Sequence, residues 1–212
     1  MDSKKRLYIL AGALVLSLII LLVIVVSQER DAQVPINGIA NQDAIAPTVT
    51  TTAIPNTKRV FVTSTLQGSN LGGLEGADTI CMNRASAAGL PGTWIALLST
   101  YTINARSRIH YNWDVLKNMA GEIIATSEED LWDGTLNTGI IYDEEGKITT
   151  GYVWTGSYKS EYGFGCEEWF GPMLTTQEWY EKVGQVDKYD NGWFDANTIN
   201  CFDSARLYCV EQ

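Results

Sequence analysis

The 212-residue sequence contains one histidine, His110, and none of its four cysteines lies in a C-x-x-C pair. A zinc ribbon, a mixed cysteine and histidine zinc site and a thioredoxin-like motif are therefore not expected. His110 has no evident partner for a role as a catalytic base, and we interpret it as a surface or packing residue. The sequence also lacks any N-x-S/T sequon, so conventional N-glycosylation is not expected.

Cationic residues are scarce beyond the first part of the chain. Residues 59–212 contain 10 Lys and Arg against 21 Asp and Glu, a formal charge of −11. Nucleic acids and heparin-type polyanions require a cationic surface on the protein. This composition therefore argues against both as partners.

One segment, residues 7–26, lacks charge altogether and follows three cations, Lys4, Lys5 and Arg6. As a helix its 20 residues would span roughly 30 Å, the thickness of the hydrocarbon core of a bilayer. A cleavable signal peptide is the alternative, but the apolar run is too long and no A-x-A cleavage pattern follows it. The sequence therefore predicts a single-pass anchor in the cell membrane. The cations keep residues 1–6 in the cytoplasm and place the rest of the chain outside it.

Residues 27–58 lack hydrophobic periodicity and contain Pro35, Pro47 and Pro55. They are typical of a stalk, and we interpret them as a flexible spacer. Their Thr-rich part is also compatible with O-glycosylation. Residues 59–212 form the predicted exported domain. The even number of cysteines there predicts two disulfides, of which the sequence allows three connectivities.

Local patterns in the predicted domain indicate a mixture of helices and strands. A strand is predicted at 59–63, a helix from about 74 to 88 that ends at Gly89, and a short helix with Ser127 as its N-cap. Further strands are predicted at 93–98, 152–156 and 207–210, and residues 140–146 are predicted to form a strand that runs into a turn. The residues between Glu168 and Cys201 are predicted to form long loops with one short helix near 177–183.

An ordered set of motifs covers the whole domain. It comprises CMNRASAAGLPGTWIALLS (81–99), GEII (121–124), LWDGTL (131–136), YDEEG (142–146), VWTGS (153–157), CEEW (166–169) and LYCVE (207–211). In this order the motifs resemble the endostatin-like domain, a branch of the C-type-lectin-like fold. The resemblance implies an α+β domain with two antiparallel sheets, a helix or two and a long loop region that binds ligands. It also implies nested disulfides, Cys81–Cys209 and Cys166–Cys201.

The resemblance does not extend to the metal and heparin sites of those families. The histidines that bind zinc in endostatins and their arginine-rich face are both missing here. The E-P-N or Q-P-D and W-N-D motifs of calcium-dependent lectins are missing as well. The remaining calcium candidates are Asp187, Asp190 and Asp195. Aligned as an EF-hand loop, however, this segment lacks two essential carboxylates, and we interpret it as an acidic surface loop with no cofactor.

Two roles are predicted for four of the tryptophans. Trp94 and Trp154 lie in predicted core strands and are interpreted as packing residues. Trp179 and Trp193 lie in the predicted long loops, where they are candidates for ligand contact, with core packing as the alternative.

Function is predicted from these sites rather than from the fold. We expect a membrane-anchored binding or adhesion module whose ligand is a surface protein or a glycan, with a protein favoured, and not an enzyme. One alternative is a hydrolase of envelope polysaccharide that uses a carboxylate pair, either Glu128 with Asp133 or Glu167 with Glu168. The other alternative is a structural component of a surface assembly.

Overall fold

The computed structural model describes residues 54–156, 165–171 and 179–212, all of which belong to one compact unit, Thr52–Gln212. The predicted cytoplasmic tip, the anchor at residues 7–26 and nearly all of the stalk lie outside the described residues. Within the described ranges, no helix is long and apolar enough to cross a membrane. The anchor therefore stays a prediction.

The unit has the expected α+β composition. Its described strands are β1 (Thr57–Val62), β2 (Gln67–Gly68), β3 (Trp94–Ala96), β4 (Val115–Lys117), β5 (Ile123–Ala125), β6 (Tyr152–Trp154), β7 (Tyr180–Gln185), β8 (Asn197–Asn200), β9 (Ser204–Ala205) and β10 (Tyr208–Glu211). Its described right-handed helices are α1 (Gly73–Ala87), α2 (Ala105–Arg108) and α3 (Glu128–Trp132), and a 3₁₀ turn covers Asn191–Trp193.

The main sheet has five strands in the order β3-β10-β1-β4-β5. At its centre, β1 pairs antiparallel with the last strand, β10, and parallel with β4. Two smaller sheets consist of β2 with β9 and of β6, β7 and β8. The described strands thus form three sheets, whereas the resemblance implies two antiparallel sheets. In addition, β1 begins at Thr57, two residues before the predicted start of the domain.

The predicted long helix is confirmed as α1. Its buried residues Ala77, Cys81 and Ala85 recur every four positions, so they lie on one face. Gly89 follows the helix with a φ of 70°, and the N–H of Leu90 donates to the Ala85 carbonyl at 2.9 Å. A left-handed glycine after the last turn ends the helix there.

The helix predicted after Ser127 is also confirmed, as α3. The Ser127 hydroxyl accepts a hydrogen bond from the Asp130 N–H at 3.1 Å. After the helix, Gly134 has a φ of 102°, and a Cβ at this position would lie 2.4 Å from Asn191 Oδ1. The turn therefore requires glycine for both backbone conformation and space.

Two predictions of local structure need correction. At residues 140–146 the predicted turn is present, and in it the Asp143 carboxylate accepts two backbone N–H groups. The predicted strand before it is absent, because Tyr142 makes only an isolated bridge with Ile148. The helix predicted near 177–183 is contradicted by β7, which pairs with β6 and β8 and in which Glu181 and Val183 are buried. Residues 177 and 178 lie outside the described residues.

Both disulfides have the pairing that the resemblance implies. Cys81–Cys209 joins α1 to β10, and Cys166–Cys201 joins the segment before β7 to the residue after β8. The bridges close loops of 128 and 35 residues. In the chain-entropy model such loops contribute about 5 and about 4 kcal/mol, respectively, to the free energy of unfolding.

Large aromatic side chains fill the core. Trp94, Trp154 and Trp169 are 0% exposed and Trp193 is 2% exposed. The predicted packing role of Trp94 and Trp154 is confirmed. The ring centroids of Trp94 and Phe61 lie 4.9 Å apart with the rings tilted by 48°, and the indole N–H of Trp154 donates to the Gln67 carbonyl at 2.9 Å.

Candidate ligand-binding cleft

A cleft of about 210 Å³ lies beside the Cys166–Cys201 disulfide. We name it the disulfide cleft, and its described lining residues are Tyr101, Cys166, Glu167, Glu168, Trp179, Tyr180, Glu181 and Cys201. They come from the loop after β3, the segment around Cys166, the start of β7 and the end of β8. A shallower groove of about 330 Å³ adjoins the cleft, because Glu168 lines both.

One wall of the disulfide cleft is a left-handed turn of four non-glycine residues. The φ angles of Cys166, Glu167, Glu168 and Trp169 are 44°, 58°, 58° and 70°. This conformation costs roughly 1–2 kcal/mol per residue for L-amino acids. Such strain persists only where the surroundings impose it, and it clusters at functional sites.

The contacts of Trp169 impose this conformation. Its carbonyl accepts hydrogen bonds from the N–H groups of Leu71, Gly72 and Gly73 at 2.8, 3.1 and 3.2 Å. Its indole N–H donates to the Ser99 carbonyl at 2.8 Å. The turn is therefore fixed at one end by a buried tryptophan and at the other by the disulfide.

The disulfide cleft is acidic: its described lining includes three glutamates and no Lys, Arg or His. Glu181 is 2% exposed, and its carboxylate accepts hydrogen bonds from the N–H groups of Cys166 at 3.1 Å and Lys182 at 2.8 Å. Glu168 accepts from the Tyr101 N–H at 2.9 Å. Glu167, which is partly exposed, also lines the cleft.

Aromatic side chains are exposed around these acids. Tyr101 and Tyr180 are 65% and 56% exposed, although both line the cleft. Phe202, next to Cys201, is 54% exposed. The indole nitrogen of Trp179 is shielded from solvent, and no described residue accepts a hydrogen bond from it. The cleft thus offers aromatic faces and negative charge.

Trp179 and Trp193, the two tryptophans predicted to contact ligand, lie in different parts of the structure. Trp179 lines the disulfide cleft. Trp193 packs in the core, with its ring centroid 5.6 Å from that of Trp132 and 4.9 Å from that of Phe194, and it also lines a different cleft of about 190 Å³. Ligand contact by Trp179 stays a prediction, whereas the burial of Trp193 favours the packing alternative.

The three calcium candidates each bind a different donor. Asp187 accepts from the Gln185 amide at 2.7 Å, Asp190 from the Gly192 N–H at 2.9 Å, and Asp195 pairs with Lys182 at 3.0 Å. Among the residues that the structure describes, no group of three His, Cys, Asp or Glu side chains is placed to hold a metal ion.

The first carboxylate pair predicted for hydrolysis, Glu128 with Asp133, is bound to other residues. Glu128 pairs with Arg106 at 2.7 Å, and Asp133 accepts from the Thr135 N–H at 2.8 Å. His110 is exposed, and its backbone N–H donates to Gln212 Oε1 at 2.9 Å. The other carboxylate pair, Glu167 with Glu168, lies in the disulfide cleft.

Sequence reasoning missed Tyr101 and Tyr180 and gave Glu168 a different role. The position of Glu168 next to a disulfide in a predicted binding region was a usable signal. The sequence around Tyr101 contains no signal of its place in the cleft, because Tyr101 and the residue it contacts, Glu168, are 67 positions apart.

Chemically, the disulfide cleft is suited to binding. Aromatic side chains with polar tips supply contact area, and the acids supply charge complementarity. The chain matches no protein-family model, and no curated protein matches it either. The function is therefore inferred from the geometry of this cleft.

Proposed function

We propose that the chain is a membrane-anchored, extracytoplasmic binding module that recognises a protein ligand at the disulfide cleft. Residues 7–26 provide the anchor in this proposal, and the domain that begins at Thr57 is exported. The two disulfides support this location, because disulfides persist mainly in oxidising compartments.

The proposal includes a C-type-lectin-like fold for the exported domain. The pairing of the first strand, β1, with the last, β10, supports it. So do the outer disulfide from α1 to β10 and an inner disulfide that lies within the C-terminal part of the chain.

The exposure of Tyr101 and Tyr180 beside a fixed turn carries the functional proposal. Aromatic side chains are enriched where proteins bind one another, and an ordered cleft reduces the entropy lost on binding. A protein is favoured over a neutral glycan, because a protein surface can supply cations that complement the three glutamates.

Site-specific photo-crosslinking in intact cells tests the proposal. A photoreactive phenylalanine analogue replaces Tyr180 in the full-length protein, and the matched control replaces Tyr189, which is 65% exposed but does not line the cleft. We expect a discrete adduct from position 180 that protease treatment removes, and no such adduct from position 189. Equal labelling at both positions, or none at position 180, would contradict the proposal.

A further inference from the structure

Helix α1 lies along the free edge of β3, an end strand of the described main sheet. In an antiparallel pair of strands, only alternate residues exchange hydrogen bonds with the neighbouring strand. Leu97 does so with β10, because its N–H donates to the Tyr208 carbonyl at 2.9 Å. The N–H groups of Trp94 and Ala96 therefore point away from β10 and need acceptors elsewhere.

Two side chains of α1, one turn apart, supply these acceptors. The Asp78 carboxylate accepts from the Ala96 N–H at 2.8 Å, and Met82 Sδ accepts from the Trp94 N–H at 3.0 Å. Residues i and i+4 lie on one face of a helix, so the two acceptors can face the two donors of the strand. A thioether sulfur is a weak acceptor. The hydrogen bond at Met82 is therefore the weaker of the two.

Met82 is also accessible to chemical modification. It is 37% exposed, whereas Met119 is partly buried against the hydrophobic cluster that includes Phe61 and Leu98. Peroxides convert methionine to the sulfoxide. The sulfur lone pair attacks one peroxide oxygen, the O–O bond breaks as the S–O bond forms, and the second oxygen leaves as water or an alcohol. The sulfur is oxidised by two electrons and the peroxide is reduced.

The geometry at Trp94 determines what the sulfoxide does there. An N–H···O hydrogen bond needs about 2.7–3.2 Å between nitrogen and oxygen, and Sδ itself lies 3.0 Å from the Trp94 nitrogen. An oxygen added on this side does not fit unless the Met82 side chain moves. An oxygen added on the other side leaves an electron-poor sulfur as the acceptor. Trp94 is 0% exposed, so water does not replace the weakened hydrogen bond.

We propose that Met82 is a site of reversible oxidation by peroxides, and that its sulfoxide releases the Trp94 N–H and loosens α1 from β3. Sulfoxide reductases return the polar product to the thioether, which makes the change reversible. This modification does not involve the disulfide cleft, so it is independent of the proposed function.

The test exposes the full-length protein in detergent micelles to millimolar hydrogen peroxide. Peptide mass spectrometry follows both methionines, and we expect Met82 to react at least about fivefold faster than Met119. Amide hydrogen exchange, read by NMR, should become roughly tenfold faster at Trp94 in the oxidised protein. The Leu97 amide, which is bonded within the sheet, should keep its rate. Treatment with sulfoxide reductases should restore slow exchange at Trp94.

Met82→Leu is the matched variant, because leucine has a similar volume and no sulfur. Its Trp94 amide should exchange fast before peroxide is added, and peroxide should not change that rate further. Thermal melting checks that the variant folds. The comparison of Met82 with Met119 in the wild type requires no variant.

Four results would overturn the inference. They are oxidation of Met119 as fast as that of Met82, unchanged exchange at Trp94 once Met82 is oxidised, exchange that stays fast after the sulfoxide is reduced, and the wild-type response to peroxide in Met82→Leu. The last result would assign the effect to another residue.

Discussion

Arg108 Nη2 donates hydrogen bonds to both carboxylate oxygens of Asp78, at 2.7 Å each, and thereby joins α2 to α1. Asp78 also accepts from the Ala96 N–H at 2.8 Å, and Arg108 donates to the Ala96 carbonyl. Ala96 lies in β3, an edge strand of the main sheet. The ion pair therefore covers backbone groups that an unprotected edge would offer to other chains.

We expect Arg108→Lys to lower the free energy of unfolding by about 1.5–3 kcal/mol, because an ammonium group cannot reproduce both sets of hydrogen bonds. Arg106→Lys is the control: Arg106 pairs with Glu128, and its side chain is 40% exposed against 11% for Arg108. An exposed pair contributes about 0–1 kcal/mol. Urea denaturation of the full-length protein measures both, and equal effects would contradict this account.

Part of this framework could be predicted from the sequence. The helical spacing of Ala77, Cys81 and Ala85 and the following Gly89 predicted α1, and Ser127 predicted α3, because these signals act over a few residues. Propensity and capping are local, so they are readable without the fold.

The rest depended on contacts between distant parts of the chain. Strand β7 was mistaken for a helix because it buries Glu181, and that burial depends on a hydrogen bond from the Cys166 N–H. The left-handed turn is likewise imposed by tertiary contacts of Trp169 rather than by glycine. Neither feature has a signal within a short window of sequence.

A buried carboxylate predicts how stability depends on pH. The Glu144 side chain is 1% exposed and accepts hydrogen bonds from the Ser64 N–H at 2.9 Å, the Ser64 hydroxyl at 2.6 Å and Arg84 Nε at 2.6 Å. Burial opposes its ionisation, but the hydrogen bonds from Ser64 and Arg84 outweigh burial and lower the pKa of Glu144. Its stabilising effect is therefore present above the unfolded pKa of about 4.3 and is lost as the pH falls through the lower folded pKa.

Glu144→Gln should therefore reduce the free energy of unfolding by about 2–3 kcal/mol near neutral pH, since charged hydrogen bonds are lost. The difference from the wild type should shrink as the pH falls below about 4.3. The neighbouring variant Glu145→Gln should change little, because that side chain is 49% exposed. Urea denaturation at several pH values measures both, and a difference that does not vary with pH would contradict the assignment.

Calcium should not stabilise the fold. Asp187, Asp190 and Asp195 bind separate donors instead of converging on one point. A ligand that binds the folded state raises the melting temperature, so thermal melts of the full-length protein in millimolar calcium and in EDTA should coincide. A higher melting temperature in calcium, abolished by Asp190→Asn, would overturn this expectation and restore the calcium site.

Removal of the inner disulfide, Cys166–Cys201, should reduce ligand binding more than removal of the outer disulfide, Cys81–Cys209. Replacing Cys166 and Cys201 by serine removes about 4 kcal/mol in the chain-entropy model and releases one end of the strained turn that carries Glu167. We expect the folded fraction of this variant to lose the position-180 crosslink. Replacing Cys81 and Cys209 by serine removes about 5 kcal/mol but leaves the turn tied, so crosslinking per folded molecule should persist. If the variant without the inner disulfide folds and still crosslinks as the wild type does, the cleft does not depend on the turn being tied, and this prediction is wrong.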